Sequence, residues 1–115
     1  MPYLKLRTNV GIGREQSPQL LSELSQLLSG ETGKPERYVM VELAAERDMI
    51  FAGSSDPLAY LECKSIGLTS TQAKALSASI SKLLQGRLQL PPDRVYIEFD
   101  NCPAEYWGWN GSTFG

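Results

Sequence analysis

Pro2 is the residue of this chain whose type and position offer the most direct chemistry. If the initiator Met1 is removed, as a small following residue usually permits, the ring nitrogen of Pro2 becomes a free secondary amine. An α-amino group titrates at roughly 7.7–8.0, so a modest lowering of its pKa leaves it unprotonated at neutral pH. Pro2 is therefore a candidate general base. The alternative is that Pro2 is an ordinary residue after an initiator methionine.

The other reactive side chains offer little competing chemistry. The chain has no histidine, and its two cysteines, Cys63 and Cys102, lie far apart and belong to no CxxC or metal-binding pattern. Zinc sites and Ser–His or Cys–His catalysis are therefore largely excluded. We expect no metal, no cofactor and two buried free thiols.

The composition is that of one folded soluble domain. The 115 residues are 42% hydrophobic and 21% charged, with a formal net charge of −2. Lysine and arginine are scattered, which argues against nucleic acid as a partner, and no apolar run approaches the roughly 20 residues that cross a bilayer. We expect a single domain over residues 1–115 with no signal peptide, no membrane partner and a cytoplasmic location.

The elements that must position Pro2 begin with the strand that follows it, where apolar and polar residues alternate. The same kind of pattern predicts four elements in the first half of the chain: a strand over residues 3–8, a helix capped by Ser17 and ending near Gly30 or Gly33, a strand over 38–43, and a turn over 52–57.

The second half of the chain repeats the first. Tyr60-Leu61 follows Tyr3-Leu4 by 57 residues, and Pro92-Asp93-Arg94 follows Pro35-Glu36-Arg37 by the same offset of 57. An ordered set of such matches indicates a duplication, with halves of about 2–57 and 58–115.

Each half therefore reads as strand, helix, strand, with a crossover that makes the two strands parallel. Thr69 and Gln72 have the spacing of a capping box at the start of the second helix. We predict an α+β fold in which two pseudo-repeated βαβ units form a four-stranded mixed sheet with two helices on one face. The other face and the sheet edges then need cover from other subunits.

The C-terminal tail, residues 106–115, contains both tryptophans of the chain. Such a tail can pack on the core of its own chain. It can equally reach a neighbouring subunit and line a pocket there. The sequence leaves both arrangements open.

Several segments, in order along nearly the whole chain, resemble the macrophage migration inhibitory factor family of the tautomerase superfamily. They are Met1-Pro2, Thr32-Gly33-Lys34-Pro35, residues 52–57, Ser65-Ile66-Gly67, residues 92–97 and residues 108–114. The resemblance implies a homotrimer with active sites at the subunit interfaces. It also implies a keto–enol tautomerase that acts on phenylpyruvate-type α-keto acids.

The resemblance further implies roles for individual residues. Pro2 would be the base, and Lys34 with the backbone N–H of Ile66 would bind the carboxylate and keto oxygens of the substrate. The aromatic residues that would line the pocket are Tyr38, Tyr96, Trp109 and Phe114, with Tyr96 supplied by the next subunit. A positive charge about 6 Å from the amine disfavours its protonation by roughly 3 kcal/mol, so we expect a pKa near 6 for Pro2.

Glu98 is a departure from the family, because the resemblance places an asparagine there, at the mouth of the pocket. A carboxylate at that place would repel an anionic keto acid and oppose the lowering of the Pro2 pKa. The alternative is a solvated glutamate at the end of a strand. Trp107 also replaces a smaller apolar residue, which predicts a narrower pocket rim.

Two other functions remain open. One is a cytokine-like signalling or host-interaction protein with an incidental pocket, for which the resemblance allows receptor binding but no residue shows a receptor surface. The other is a superfamily hydratase or dehalogenase of unsaturated acids. Those reactions need a carboxylate to activate water and arginines to bind the acid, and Glu98 is a candidate for the carboxylate.

Overall fold

The computed structural model describes all residues, Met1–Gly115. Two strand–helix–strand units follow each other, and a short hairpin ends the chain. In chain order the elements are β1 (Tyr3–Thr8), α1 (Gln16–Thr32), β2 (Met40–Ala44), β3 (Ala59–Ile66), α2 (Ser70–Leu88), β4 (Val95–Cys102), β5 (Gly108–Trp109) and β6 (Ser112–Thr113). Short 3₁₀ turns precede β2, β4 and β5.

The four long strands form one mixed sheet in the order β2-β1-β3-β4. The strands within each unit are parallel, β1 with β2 and β3 with β4. The two units meet through an antiparallel pairing of β1 with β3, in which Tyr3 lies opposite Lys64. The predicted fold class is confirmed, and β1 lies inside the sheet with a strand on each side.

Alternation in β1 and β3 directs one set of side chains to the helices and the other to the open face of the sheet. Both helices pack on the same face, and full burial of each leucine contributes about 1.5–3 kcal/mol. The fully buried members of this core are Leu4, Leu6, Leu20, Leu24, Leu28, Leu61, Leu76, Ile80 and Leu84. The open face carries mainly charged residues and tyrosines.

The two helices begin differently. α2 starts with the predicted capping box, because Thr69 Oγ1 accepts from the Gln72 backbone N–H at 3.1 Å and Gln72 Oε1 accepts from the Thr69 N–H at 3.0 Å. The predicted Ser17 cap of α1 is wrong. That helix begins at Gln16, two residues before the Pro18 start that a Ser17 cap implies, and it has no side-chain cap, because the N–H groups of Gln16 and Ser17 donate to the carbonyl of Gly13 instead.

The segment between α1 and β2 also differs from its prediction. α1 ends at Thr32, and the next residue, Gly33, adopts φ 71°, a left-handed conformation that glycine reaches without steric cost. Residues Glu36–Tyr38 form a 3₁₀ turn, and β2 starts only at Met40. The prediction that Tyr38 lies on a strand is therefore wrong.

Arg94 fixes the predicted turn that precedes β3. Its guanidinium donates to the carbonyls of Phe51 at 2.7 Å, Asp56 at 2.8 Å and Ser54 at 3.0 Å. The turn itself closes through reciprocal backbone hydrogen bonds between Phe51 and Ser54. Neither helix combines the length and hydropathy that crossing a membrane requires.

Candidate functional site

An open cleft of about 790 Å³ surrounds the start of the chain. Ten of its sixteen lining residues are hydrophobic, and Met1, Pro2 and Tyr3 form one side. Pro2 is fully buried, and its carbonyl accepts a hydrogen bond from the Met40 N–H at 3.0 Å. Since β1 lies inside the sheet, the first residues are held in place from both sides.

Three aromatic residues form one wall of this cleft. The β5–β6 hairpin turns through Asn110 and Gly111, both with positive φ, and so brings Trp109 and Phe114 into a stack with centroids 5.4 Å apart. Both rings meet the edge of Tyr38, at 5.4 and 5.7 Å. The C-terminal tail thus lines a cleft of its own chain, together with Pro2.

The electrostatic setting of the amino terminus suits a base. The pKa of the Met1 amino group is lowered to about 6, first by burial and second by the charge of Lys34. The order of these causes matters, because the sequence reasoning attributed the lowering to Lys34 alone. Any amine at the mouth of this cleft is partly removed from water.

Lys34 itself does not line the cleft but lies close enough for its charge to act on the amine. Its backbone is held at the end of α1, where the Ser29 hydroxyl donates to the Lys34 carbonyl at 2.6 Å. The Lys34 N–H donates to Thr32 Oγ1 at 3.3 Å. These contacts fix the base of the side chain next to the start of β1.

Arg37 is a cleft residue that the sequence reasoning missed. Its guanidinium carbon lies 4.8 Å above the centroid of the Tyr38 ring, and it forms no ion pair. Its counterpart in the second half, Arg94, is committed to backbone carbonyls. The sequence repeat matches the two arginines but does not distinguish them, because the difference lies in their contacts: Arg94 donates to carbonyls, whereas Arg37 has no acidic partner.

Further charged residues of the cleft come from the open face of the sheet. Lys64 lies opposite Tyr3, and Glu42 accepts a hydrogen bond from the Tyr3 hydroxyl at 2.8 Å. Asp100, on β4, also lines the cleft. Burial and the contact with Glu42 raise the pKa of Tyr3, so this phenol stays protonated at neutral pH. Strand alternation places these residues on the open face of the sheet, and the cleft around Pro2 extends to them.

The remaining predicted site residues lie outside the cleft of their own chain. Ile66 is the last residue of β3 and pairs with the cleft residue Cys102. Tyr96 is 62% exposed, with its ring 4.6 Å from that of Phe51. Within one chain Tyr96 therefore contributes nothing to the cleft around Pro2.

Glu98 is exposed on the open face of the sheet, away from the cleft of its own chain. Its Oε1 accepts a hydrogen bond from the Tyr60 hydroxyl at 3.0 Å. This contact raises the pKa of Tyr60, mainly through the hydrogen bond to the carboxylate. In one chain Glu98 is thus a solvated strand residue with a tyrosine partner.

The two thiols have different environments. Cys63 is fully buried, and burial raises the pKa of its thiol to about 11. Cys102 is only half-buried and lines the cleft, so the expectation of two buried thiols is wrong for this residue. The chain contains no group of three or more His, Cys, Asp or Glu side chains placed to hold a metal ion.

The sequence and the fold of this chain both match proteins of one known family. A profile of the family "Macrophage migration inhibitory factor (MIF)" matches residues 1–115. The chain is 43% identical to macrophage migration inhibitory factor from Meriones unguiculatus, with 99% of each chain covered, and 37% identical to a homolog from Brugia malayi, with full coverage of both. It superposes on the crystal structure of a homologue from Prochlorococcus marinus with a TM-score of 0.94 and 39% identity, covering 98% of this chain and 99% of that one.

Proposed function

Because the chain belongs to the macrophage migration inhibitory factor family and has its tautomerase-superfamily fold, we propose that it is a keto–enol tautomerase. Its substrates are α-keto acids of the phenylpyruvate type, and its general base is the amine of Pro2 after removal of Met1. The observation that carries this proposal is the position of Pro2 in the apolar cleft, where burial and the charge of Lys34 lower the pKa of the adjacent Met1 amine to about 6.

The reaction moves one proton between carbon and oxygen. The neutral Pro2 amine takes a proton from the carbon next to the keto group, and the electron pair of that C–H bond moves to the keto oxygen as an enolate. A water molecule protonates this oxygen, and the Pro2 ammonium gives its proton to the hydroxide so formed, which restores the neutral amine. In the reverse direction the same steps run backwards, and the Pro2 ammonium delivers its proton to carbon. A base with a pKa near 6 is suited to both directions at neutral pH.

The substrate's two polar ends need separate partners. Lys34 and the backbone N–H of Ile66 bind the keto oxygen and carboxylate, as expected from the family resemblance. Arg37 is a further carboxylate partner, because it is the cleft arginine without an acidic partner, and a guanidinium binds a carboxylate through two parallel hydrogen bonds. The substrate ring then packs against Tyr38, Trp109 and Phe114, which exclude water from the developing enolate.

The working form in this proposal is a homotrimer. Tyr96 and Glu98, on β4, do not line the cleft of their own chain, so in this proposal they contribute to the pocket of an adjacent subunit. The exposed apolar side chains Ile50, at 71%, and Tyr96, at 62%, provide surface that association would bury.

The test uses purified protein whose mass shows that Met1 is gone. It measures the conversion of phenylpyruvate between its keto and enol forms by the absorbance of the enol. Wild type is expected to accelerate the conversion. The Pro2→Gly variant, which replaces the secondary amine by a primary one, is expected to lose about 100-fold in kcat/KM. Equal turnover by the two proteins would remove Pro2 as the base.

A hydratase or dehalogenase activity is the second candidate, favoured by one observation. The cleft contains both a carboxylate, Asp100, and an arginine, Arg37, which is the pair that water addition to an unsaturated acid requires. Release of halide from a 3-halo unsaturated acid, abolished in Asp100→Asn, would support it. Absence of halide release while phenylpyruvate is turned over would leave tautomerisation alone.

A further inference from the structure

Ser65 carries the one buried side-chain polar atom that has no hydrogen-bond partner. The residue is 1% exposed, on the helix-facing side of β3. Its Oγ has neither a donor nor an acceptor within hydrogen-bond distance. Buried polar groups are nearly always paired, and an orphan reduces stability, so this hydroxyl requires an explanation.

The register of the sheet places Ser65 beside the start of the chain. β1 and β3 pair with Tyr3 opposite Lys64, and one further step along both strands brings Pro2 opposite Ser65. Both residues are buried, so they lie on the same face of the sheet. Side chains of directly opposed residues on one face have Cβ atoms about 4.5–5.5 Å apart. The Ser65 hydroxyl is therefore within reach of the Pro2 ring.

The chemistry of the Pro2 nitrogen explains the orphan. While Met1 is attached, this nitrogen is a tertiary amide, which carries no hydrogen and whose lone pair is delocalised into the carbonyl. It can neither donate to nor accept from Ser65. Removal of Met1 turns the same atom into a secondary amine, which has one N–H and one free lone pair when neutral.

We propose that the Ser65 hydroxyl accepts the N–H of the processed Pro2 amine and thereby directs the amine lone pair toward the cleft. Ser65 is then a positioning residue for the base, and it rests on the proposed function of Pro2. When the amine takes a proton from substrate carbon, its nitrogen carries two hydrogens. One remains hydrogen-bonded to the Ser65 hydroxyl, and the other points toward the substrate and can be returned to it. The same contact stabilises the processed chain.

The first test compares stability and does not depend on activity. Wild type and Ser65→Ala are each prepared with Met1 removed and with Met1 retained, as verified by mass. In the processed pair the substitution is expected to lower the Tm by about 4 °C, the loss of one hydrogen bond in a domain of this size. In the Met1-retaining pair it leaves the Tm unchanged or raises it. An equal change in both pairs would overturn the proposal.

The second test reads the orientation of the base. Ser65→Ala is expected to lower kcat about tenfold at unchanged KM, and to move the acidic limb of kcat/KM to lower pH, because a lost acceptor no longer favours the protonated amine. Ser65→Thr, which keeps the hydroxyl, restores both values. The charged groups around the amine, namely Lys34, Arg37, Glu42, Lys64 and Asp100, are the same in every variant.

A matched control separates this effect from the loss of any buried hydroxyl. Thr8 is buried at the other end of β1 on the same face, where its hydroxyl donates to the Leu58 carbonyl at 2.7 Å. Thr8→Val is expected to lower the Tm without moving the pH limb or kcat. A limb unchanged in Ser65→Ala would overturn the positioning role. If no variant turns over phenylpyruvate, the proposed function fails while the Tm comparison still decides the Ser65 contact.

Discussion

At the scale of the residue, the account depends on how one nitrogen is surrounded. Pro2 lies in a cleft whose walls are largely apolar, and burial lowers the pKa of the adjacent Met1 amine more than the nearby Lys34 does. Of the predicted site residues, Pro2, Tyr38, Trp109 and Phe114 line this cleft, whereas Lys34 and Tyr96 do not. Arg37 and Lys64 also line it and were not predicted, because their positions depend on tertiary packing that local sequence patterns do not report.

The pH dependence of catalysis tests this setting. The base must be neutral, so kcat/KM is expected to rise with pH through a limb near pH 6 and to level above it. Lys34→Ala removes a cation that opposes protonation, which raises the amine pKa and moves the limb to higher pH by about half a unit or more. Lys34→Arg keeps the positive charge, so the limb is expected to stay at its wild-type pH. A limb at the same pH in all three proteins would contradict the role of Lys34.

Substrate binding gives a separate prediction for Arg37. Arg37→Ala is expected to raise KM for phenylpyruvate about tenfold with little change in kcat, because a carboxylate partner in both ground and transition states is lost. Arg37→Lys gives an intermediate value, since it keeps the charge without the fork. The exposed Arg14→Ala serves as the control. Steady-state kinetics that show no KM change in Arg37→Ala would exclude this contact.

At the scale of the element, local patterns predicted most of the fold. Alternation located β1 at its observed bounds, and the Thr69–Gln72 spacing located the start of α2. The predictions of element boundaries failed at the start of α1 and before β2. At the start of α1 a backbone carbonyl, and not a side chain, accepts the free N–H groups. The Gly13 carbonyl accepts the first N–H groups of α1, so Ser17 is not its cap. The predicted strand over residues 38–43 included Tyr38, a residue type that favours strands, but Tyr38 ends the 3₁₀ turn Glu36–Tyr38 instead.

The capping box makes a prediction for α2. Thr69→Ala removes the acceptor of the Gln72 N–H and is expected to cost about 1 kcal/mol in the free energy of unfolding. Thr71→Ala, an exposed substitution in the first turn, is the matched control and is expected to stay within about 0.5 kcal/mol. Urea unfolding of both variants measures the difference. Equal midpoints would show that the cap contributes nothing to stability.

At the scale of the whole molecule, the cleft of a single chain does not include every predicted site residue. Tyr96 and Glu98 lie on the sheet's far strand, and no pattern in the sequence says which chain's cleft they serve. That part of the site could not be predicted from periodicity or spacing, because these report local structure only. It follows from the proposed homotrimer.

Native mass spectrometry is expected to give three times the mass of one chain. Ile50→Glu places a charge on an apolar side chain that is 71% exposed in the single chain, and it is expected to shift the population toward monomer with loss of turnover. Lys74→Glu, on the exposed surface of α2, is the control. A wild-type protein that stays monomeric at micromolar concentration while retaining full activity would contradict the trimer.

The protonation of the Pro2 amine can be measured by NMR. Protein labelled with ¹⁵N-proline and verified by mass to lack Met1 gives one secondary-amine signal, whose chemical shift is followed against pH. We expect a single transition with a midpoint near pH 6 that coincides with the limb of kcat/KM. A midpoint at or above about 8, the ordinary value for an α-amino group, would contradict it.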